Sequence, residues 1–187
     1  MKPFNEPRWN TSQESHFTEV KDFGHAAEDL CEKALHDARA QLHPLLQSSE
    51  LRLLGERHEF VETFRLALER RIARKLATWQ TRVLSVFRFD QTRRPPGIPW
   101  DGSIHLLAKV PRVSKTIQAW GQTLDKSLLP CFRALGWSCF QERQSILEVQ
   151  QVTPEEIRRG IGYGGMFFAA YTRPVRIWPQ DRLRAGV

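Results

Sequence analysis

Residues 145–171 read SILEVQQVTPEEIRRGIGYGGMFFAAY, and their order of local signals decides the fold reading. Ser145–Val152 alternates like a strand. Thr153-Pro154-Glu155-Glu156 then opens a helix, with Thr at the N-cap, Pro at the first helical position and Glu at the third. Gly160 closes that short helix, and GIGYGG (residues 160–165) leads into a last strand over Met166–Tyr171, which resumes at Val175–Trp178 beyond Pro174 in the longer reading.

Upstream, Trp137–Gln141 reads as a strand that pairs with Ser145–Val152 in a hairpin around Glu142, Arg143 and Gln144. Before it, Ser114 caps a helix that carries Ile117, Trp120, Leu124, Leu128 and Leu135 and stops at Gly136. Pro130 falls inside the pattern and predicts a kink. Ile104–Val110 reads as a strand. From Ile104 the expected order is therefore β-α-β-β-α-β, the ferredoxin-like order of an α+β fold with a small antiparallel sheet. This fold class hosts unrelated activities and decides none of them.

Residues 91–102, QTRRPPGIPWDG, hold three prolines and two glycines and mark a break. Val83–Phe89 alternates like a strand or continues the helix before it. That helix runs from about Leu51 or Glu56 to Thr81, with Val61, Phe64, Leu68, Ile72, Leu76 and Trp79 in one stripe. A first helix over about His25–Gln47 repeats apolar residues at three- and four-residue spacing, with Pro44 set to kink or end it. The expected organisation is a flexible arm over 1–22, a helical hairpin over 23–90, a Pro/Gly-rich linker over 91–103 and the α+β unit over 104–180.

Charge is unevenly spread over the 187 residues. Residues 1–50 carry nine acids against five bases, and the remaining chain is basic enough to bring the whole to +7. Arg65–Arg94 alone holds nine of the 28 Lys and Arg residues, with Glu69 and Asp90 as its acids. Arg71, Arg74, Lys75 and Arg82 fall on one helix face beside Arg70, with no acid interleaved. A face built for solubility usually mixes signs, so this one points to a polyanion. Arg outnumbers Lys 21 to 7, and the guanidinium fork matches phosphate oxygens. Arg93 and Arg94 would extend the track, and Trp100 beside them would stack on a base or cover the core edge.

A second expected phosphate contact is the glycine segment. Gly162 and Gly164 would free backbone N–H groups for an anion, with Arg158 and Arg159 supplying charge. The bland alternative is a helix end followed by a tight turn. The segment is neither a dinucleotide fingerprint nor a P-loop, because it runs from helix to strand and lacks Gly-Lys-Ser/Thr. In topology alone its place resembles that of the glycine-rich loop in RNA-binding ferredoxin-like proteins of the CRISPR repeat-associated superfamily. That resemblance implies an RNA contact at the loop and carries no catalytic residue with it. An aromatic sheet readout of the RNA-recognition-motif kind is disfavoured, because Ile104–Val110 and Ser145–Val152 contain no aromatics.

No catalytic residue is assigned. The weak candidate is His105, as general acid or base of a metal-independent nuclease, with Lys109 on the same strand. His25, Glu28, Glu32 and His36 share a helix but lack the paired Glu-x-x-His motifs of a bundle metal site, so no metal and no cofactor are expected. Cys31, Cys131 and Cys139 are too scattered for a disulfide framework or a zinc motif and fit free thiols in a reducing cytoplasm. No apolar run reaches the roughly 18 residues of a membrane helix. The expected function is non-catalytic or weakly catalytic nucleic-acid binding, RNA favoured over DNA. The alternative is a protein–protein interaction subunit, as a homo-oligomer or within a larger assembly.

Overall fold

The computed structural model describes residues 14–41, 50–89, 100–169 and 174–179, with side chains described from residue 23 onward except at 51 and 52. Residues 1–13 of the expected arm, Pro44 and most of the linker lie outside the described residues, whereas residues 14–22 of that arm are helical rather than a flexible tail. The elements are α1 (Glu14–Ala40), α2 (Leu51–Leu54), α3 (His58–Trp79), β1 (Ser85–Phe89), β2 (Ile104–Lys109), α4 (Lys115–Ala134), α5 (Ser138–Gln141), β3 (Leu147–Val152), α6 (Pro154–Arg159), a 3-10 helix (Gly162–Phe168) and β4 (Pro174–Trp178).

Helix and sheet therefore combine, as the α+β reading expects, around one mixed four-stranded sheet of order β3-β2-β1-β4. β1 pairs antiparallel with both β2 and β4, while β2 and β3 run parallel with Ile104 opposite Leu147. A parallel pair needs a crossover, and α4 supplies it. The sheet is thus not the antiparallel one that a ferredoxin-like order implies, and two local differences explain why.

First, Trp137–Gln141 is not a strand. Trp137 and Phe140 are three residues apart, both are buried, and their rings stack at 5.6 Å, so helical spacing satisfies both. Trp137 stands at the N-cap of the short α5 and Phe140 within it, and no hairpin precedes β3. Second, residues 162–168 form the 3-10 helix where a strand is expected. A Cβ on Gly164 would lie 2.0 Å from the Glu156 carbonyl oxygen, so the segment folds tightly back on α6 rather than extending. The last strand comes later, at Pro174–Trp178. The fourth place in the sheet is taken by β1, which sits at its centre.

Local chemistry explains the helices. Ser114 Oγ accepts from the Thr116 N–H at the start of α4. Thr153 and Glu156 make a complete capping box at α6, and Gly160 ends it in the left-handed conformation, with φ +63. α4 spans Pro130 and continues to Ala134. On α1 the buried residues Ala27, Leu30, Cys31, Ala34 and Ala38 form a narrow small-residue stripe. This stripe lets α1 pack against both α3 and α4. α3 lies on β1, β2 and β4, and α4 lies on β3, so one sheet face is covered by helices. Val86, Ile104, Leu106, Ala108 and Leu147 meet Leu68, Ile72, Leu76 and Leu124 in that core. Below it, Phe60, Phe64, Trp100, Phe132, Trp137 and Phe140 form an aromatic knot, with edge-on contacts such as Phe64–Trp137 at 5.1 Å.

Candidate nucleic-acid interface

Four cations of the expected track stand apart along α3 and just beyond it. Arg70 and Arg74 are exposed, Lys75 is half-buried, and Arg82 is exposed after the helix end. None of the four has an acidic partner among the described residues. Their neighbours differ. Arg65 donates to Glu62 at 2.7 Å and lies 3.6 Å from the buried Glu69, and Arg88 reaches Glu69 from β1 at 3.8 Å. Two guanidinium groups thus serve one carboxylate that is only 2% exposed, which fixes α3 to the sheet.

Arg71 departs from the sequence reading. Its Nε and Nη2 donate to Asp37 Oδ2 at 2.8 and 2.5 Å, so it ties α3 to α1. An arginine held this way offers little to a phosphate. The sequence could not pair it, because Asp37 lies 34 positions away on another helix.

A residue that sequence reasoning assigned to the core is half-exposed at the end of α3. Trp79 is 42% exposed, although it stacks on the buried Trp120 at 5.7 Å with an interplanar angle of 24°. One ring face is packed and the rest meets solvent, between Lys75 four residues before and Arg82 three after. Trp100, by contrast, is 1% exposed and donates its Nε1–H to the Ser103 carbonyl at 2.7 Å, so it belongs to the core. Arg93 and Arg94 lie outside the described residues.

The glycine segment lies elsewhere. Phe167 of the 3-10 helix packs edge-on against Phe87 at 4.9 Å, and Phe87 alternates with the core residue Val86, so the segment covers the sheet face away from α3. Arg158 and Arg159 on α6 therefore do not join the α3 ridge. Arg158 is paired with Glu155, while Arg159 is exposed. Gly162 takes φ +52, and Gly164 is buried against the α6 backbone with its N–H donated to the Ile161 carbonyl at 2.9 Å. Both glycines have a structural reason in the turn itself. The same face carries Phe87 and, by alternation, Phe89. These are sheet aromatics the sequence reading missed, because β1 was not expected in the sheet.

His105 lies on this second face, 40% exposed, with Nδ1 2.9 Å from Glu148 Oε2 on the neighbouring strand. Lys109 shares its face but lies four residues on, about 13 Å at the strand rise. Glu148 was not foreseen as a partner, since only the parallel register brings it opposite His105. Among the described residues no three of His, Cys, Asp and Glu converge as metal ligands, and no helix is long and apolar enough to cross a membrane. No protein family, no curated protein and no solved structure matches the chain.

Proposed function

We propose that the chain is a nucleic-acid-binding protein favouring single-stranded RNA, bound along the α3 ridge. The supporting observation is the contrast between paired and unpaired cations on one helix. Arg65 and Arg71 have carboxylate partners, whereas Arg70, Arg74, Lys75 and Arg82 have none among the described residues, and Lys75 lies one helical turn before the half-open Trp79. Residues 70, 74 and 78 make one row at about 6 Å intervals, from the helical rise, and Arg82 lies beyond the helix end. Thr78 adds a hydroxyl to that row. The cations would neutralise successive phosphates without reading sequence, and the Trp79 ring would take an unstacked base, a contact worth roughly 1–3 kcal/mol. A duplex keeps its bases stacked and offers no partner for that ring, hence the single-strand preference. The glycine segment and Arg158 are left out of this surface, because they face the other way.

The test is fluorescence anisotropy of labelled single-stranded RNA, hairpin RNA and duplex DNA across a fourfold range of salt. Four phosphate contacts to a single strand give a logarithmic salt slope near −3, so affinity should fall about 50-fold between roughly 50 and 200 mM salt. Absence of binding at the lower salt, or binding that Arg70→Glu with Arg74→Glu leaves intact, would sink the reading. Equal binding to anionic lipid vesicles would reassign the ridge to a membrane surface.

A further inference from the structure

The parallel β2–β3 ladder fixes which backbone groups of β3 look inward. The Ile104 N–H donates to the Ile146 carbonyl and the Val110 N–H to the Val152 carbonyl. The even-numbered residues of β3 therefore face β2, and Leu147, Val149 and Gln151 turn their N–H and C=O groups to the free edge. Among the described residues β3 is the last strand of the sheet on that side.

This edge is closed at both ends and open between them. Asp125 Oδ1 on α4 accepts from the N–H groups of Ile146 and Leu147, both at 2.7 Å. At the other end the Gln151 side-chain amide pairs with the Ser114 backbone in both directions, at 2.9 and 2.8 Å, as a neighbouring strand would. Between these closures the Leu147 carbonyl, both groups of Val149 and the Gln151 N–H have no partner among the described residues. They floor a groove of about 1080 Å³. Its walls are α4 on one side and His105, Glu148 and Tyr163 on the other. Gly121 brings α4 close, since a Cβ there would lie 3.1 Å from the Val149 side chain.

Charge selects the occupant. Among the groove's charged side chains Asp101 is paired with Arg143 at 3.0 Å, which leaves the carboxylates Asp125, Glu148 and Glu156 against Lys126, on a chain of formal charge +7. This acidic strip repels a phosphodiester backbone and favours a cationic one. We infer that the free edge of β3 is a docking site for a short, basic peptide segment of a partner protein, added as an extra strand through Val149. The unpaired main-chain groups hold the peptide backbone. Its alternate side chains face Glu148 on one side and α4 on the other.

The probe is a fluorescein-labelled nonapeptide of alternating Lys and Thr, with an alternating Glu and Thr peptide as control. The Lys peptide should bind and the Glu peptide should not. On binding, the Val149 and Gln151 amide hydrogens should exchange at least about tenfold more slowly, and Glu148→Lys should weaken affinity at least about tenfold. Val149→Pro removes an outward N–H without touching the β2 ladder, and should abolish binding in a chain that still melts cooperatively. If that variant fails to fold, the exchange measurement and Glu148→Lys decide alone. Lack of binding by the Lys peptide, or binding that leaves the two amides unprotected, would overturn the inference. So would protection of Val149 that rises with protein concentration in the absence of peptide, since it would give the edge to a second copy.

Discussion

Trp79 lies on Trp120 with ring centroids 5.7 Å apart, yet keeps two-fifths of its surface in solvent. Trp120 is in turn met edge-on by Phe23 of α1 at 6.4 Å. The Trp79 ring is therefore held in place from beneath and needs no ordering to receive a base. Trp79→Ala should weaken single-stranded RNA binding by the worth of one stack, roughly 1–3 kcal/mol or about 5- to 150-fold, with the salt slope unchanged. Trp79→Phe should recover part of the loss. Anisotropy titrations at two salt concentrations check both, and an unchanged affinity for the Ala variant would remove Trp79 from the surface.

Arg71 and Arg74 are three residues apart and should behave oppositely. Arg71 is paired with Asp37 at a partly exposed contact, so Arg71→Ala should cost stability, about 0.5 kcal/mol after screening, and change RNA affinity little. Arg74→Ala should leave the melting curve in place and make the salt slope shallower by roughly one. A double-mutant cycle between Asp37 and Arg71 checks the first effect. If Arg71→Ala proves the more damaging to RNA binding, the ion pair is not its main role.

Gly164 separates a structural glycine from a phosphate-binding one. A Cβ there would meet Glu156 O at 2.0 Å and Ile157 N at 2.6 Å, and both are backbone atoms that cannot swing away. Gly164→Ala should destabilise by about 1–3 kcal/mol, the usual cost of overpacking. That is a fall in Tm of roughly 2–12 °C for a domain of this size. The RNA salt slope should stay the same. A loss of RNA affinity with an unchanged Tm would restore the glycine segment as an anion site.

What the sequence disclosed was what local chemistry determines. The stripe Ala27, Leu30, Cys31, Ala34, Ala38, the Ser114 cap and the Thr153–Glu156 capping box are each readable within a single helix, and each is present. What stayed hidden depends on contacts between distant residues. The alternation of Ser85–Phe89 is visible, but its place between β2 and β4 is set by partners up to about 90 positions away. The strand reading of Trp137–Gln141 fails because Trp137 and Phe140 share a pocket that no local pattern announces. The candidate site divides along the same line. Arg70, Arg74 and Lys75 follow from helical spacing, whereas the helix end that puts Arg82 off that face, the capture of Arg71 by Asp37 and the half-exposure of Trp79 are not readable from it.

Cys31 gives the chain a pH dependence of definite sign. Burial between α1 and α4 pushes its thiol far above the ordinary value of 9.0, with the Cys131 thiol beside it as a smaller cause. Burial also raises Cys131 and Cys139, which are less enclosed. A raised thiol pKa means that the folded chain keeps a proton which the unfolded chain releases. The contribution is fully present below the unfolded pKa and is lost as pH climbs above it. Between about pH 9 and 11 the stability should fall by up to about 1.4 kcal/mol per pH unit on account of the Cys31 thiol. Cys31→Ala removes one such group, so its stability should decline less steeply over the same range, although the variant starts lower for its lost packing. Urea melts of both proteins across that range measure the two slopes. Lys and Tyr titrations are common to both and cancel in the difference. Parallel slopes would show that the Cys31 thiol ionises as readily in the folded chain as in the unfolded one, against its burial in the α1–α4 contact.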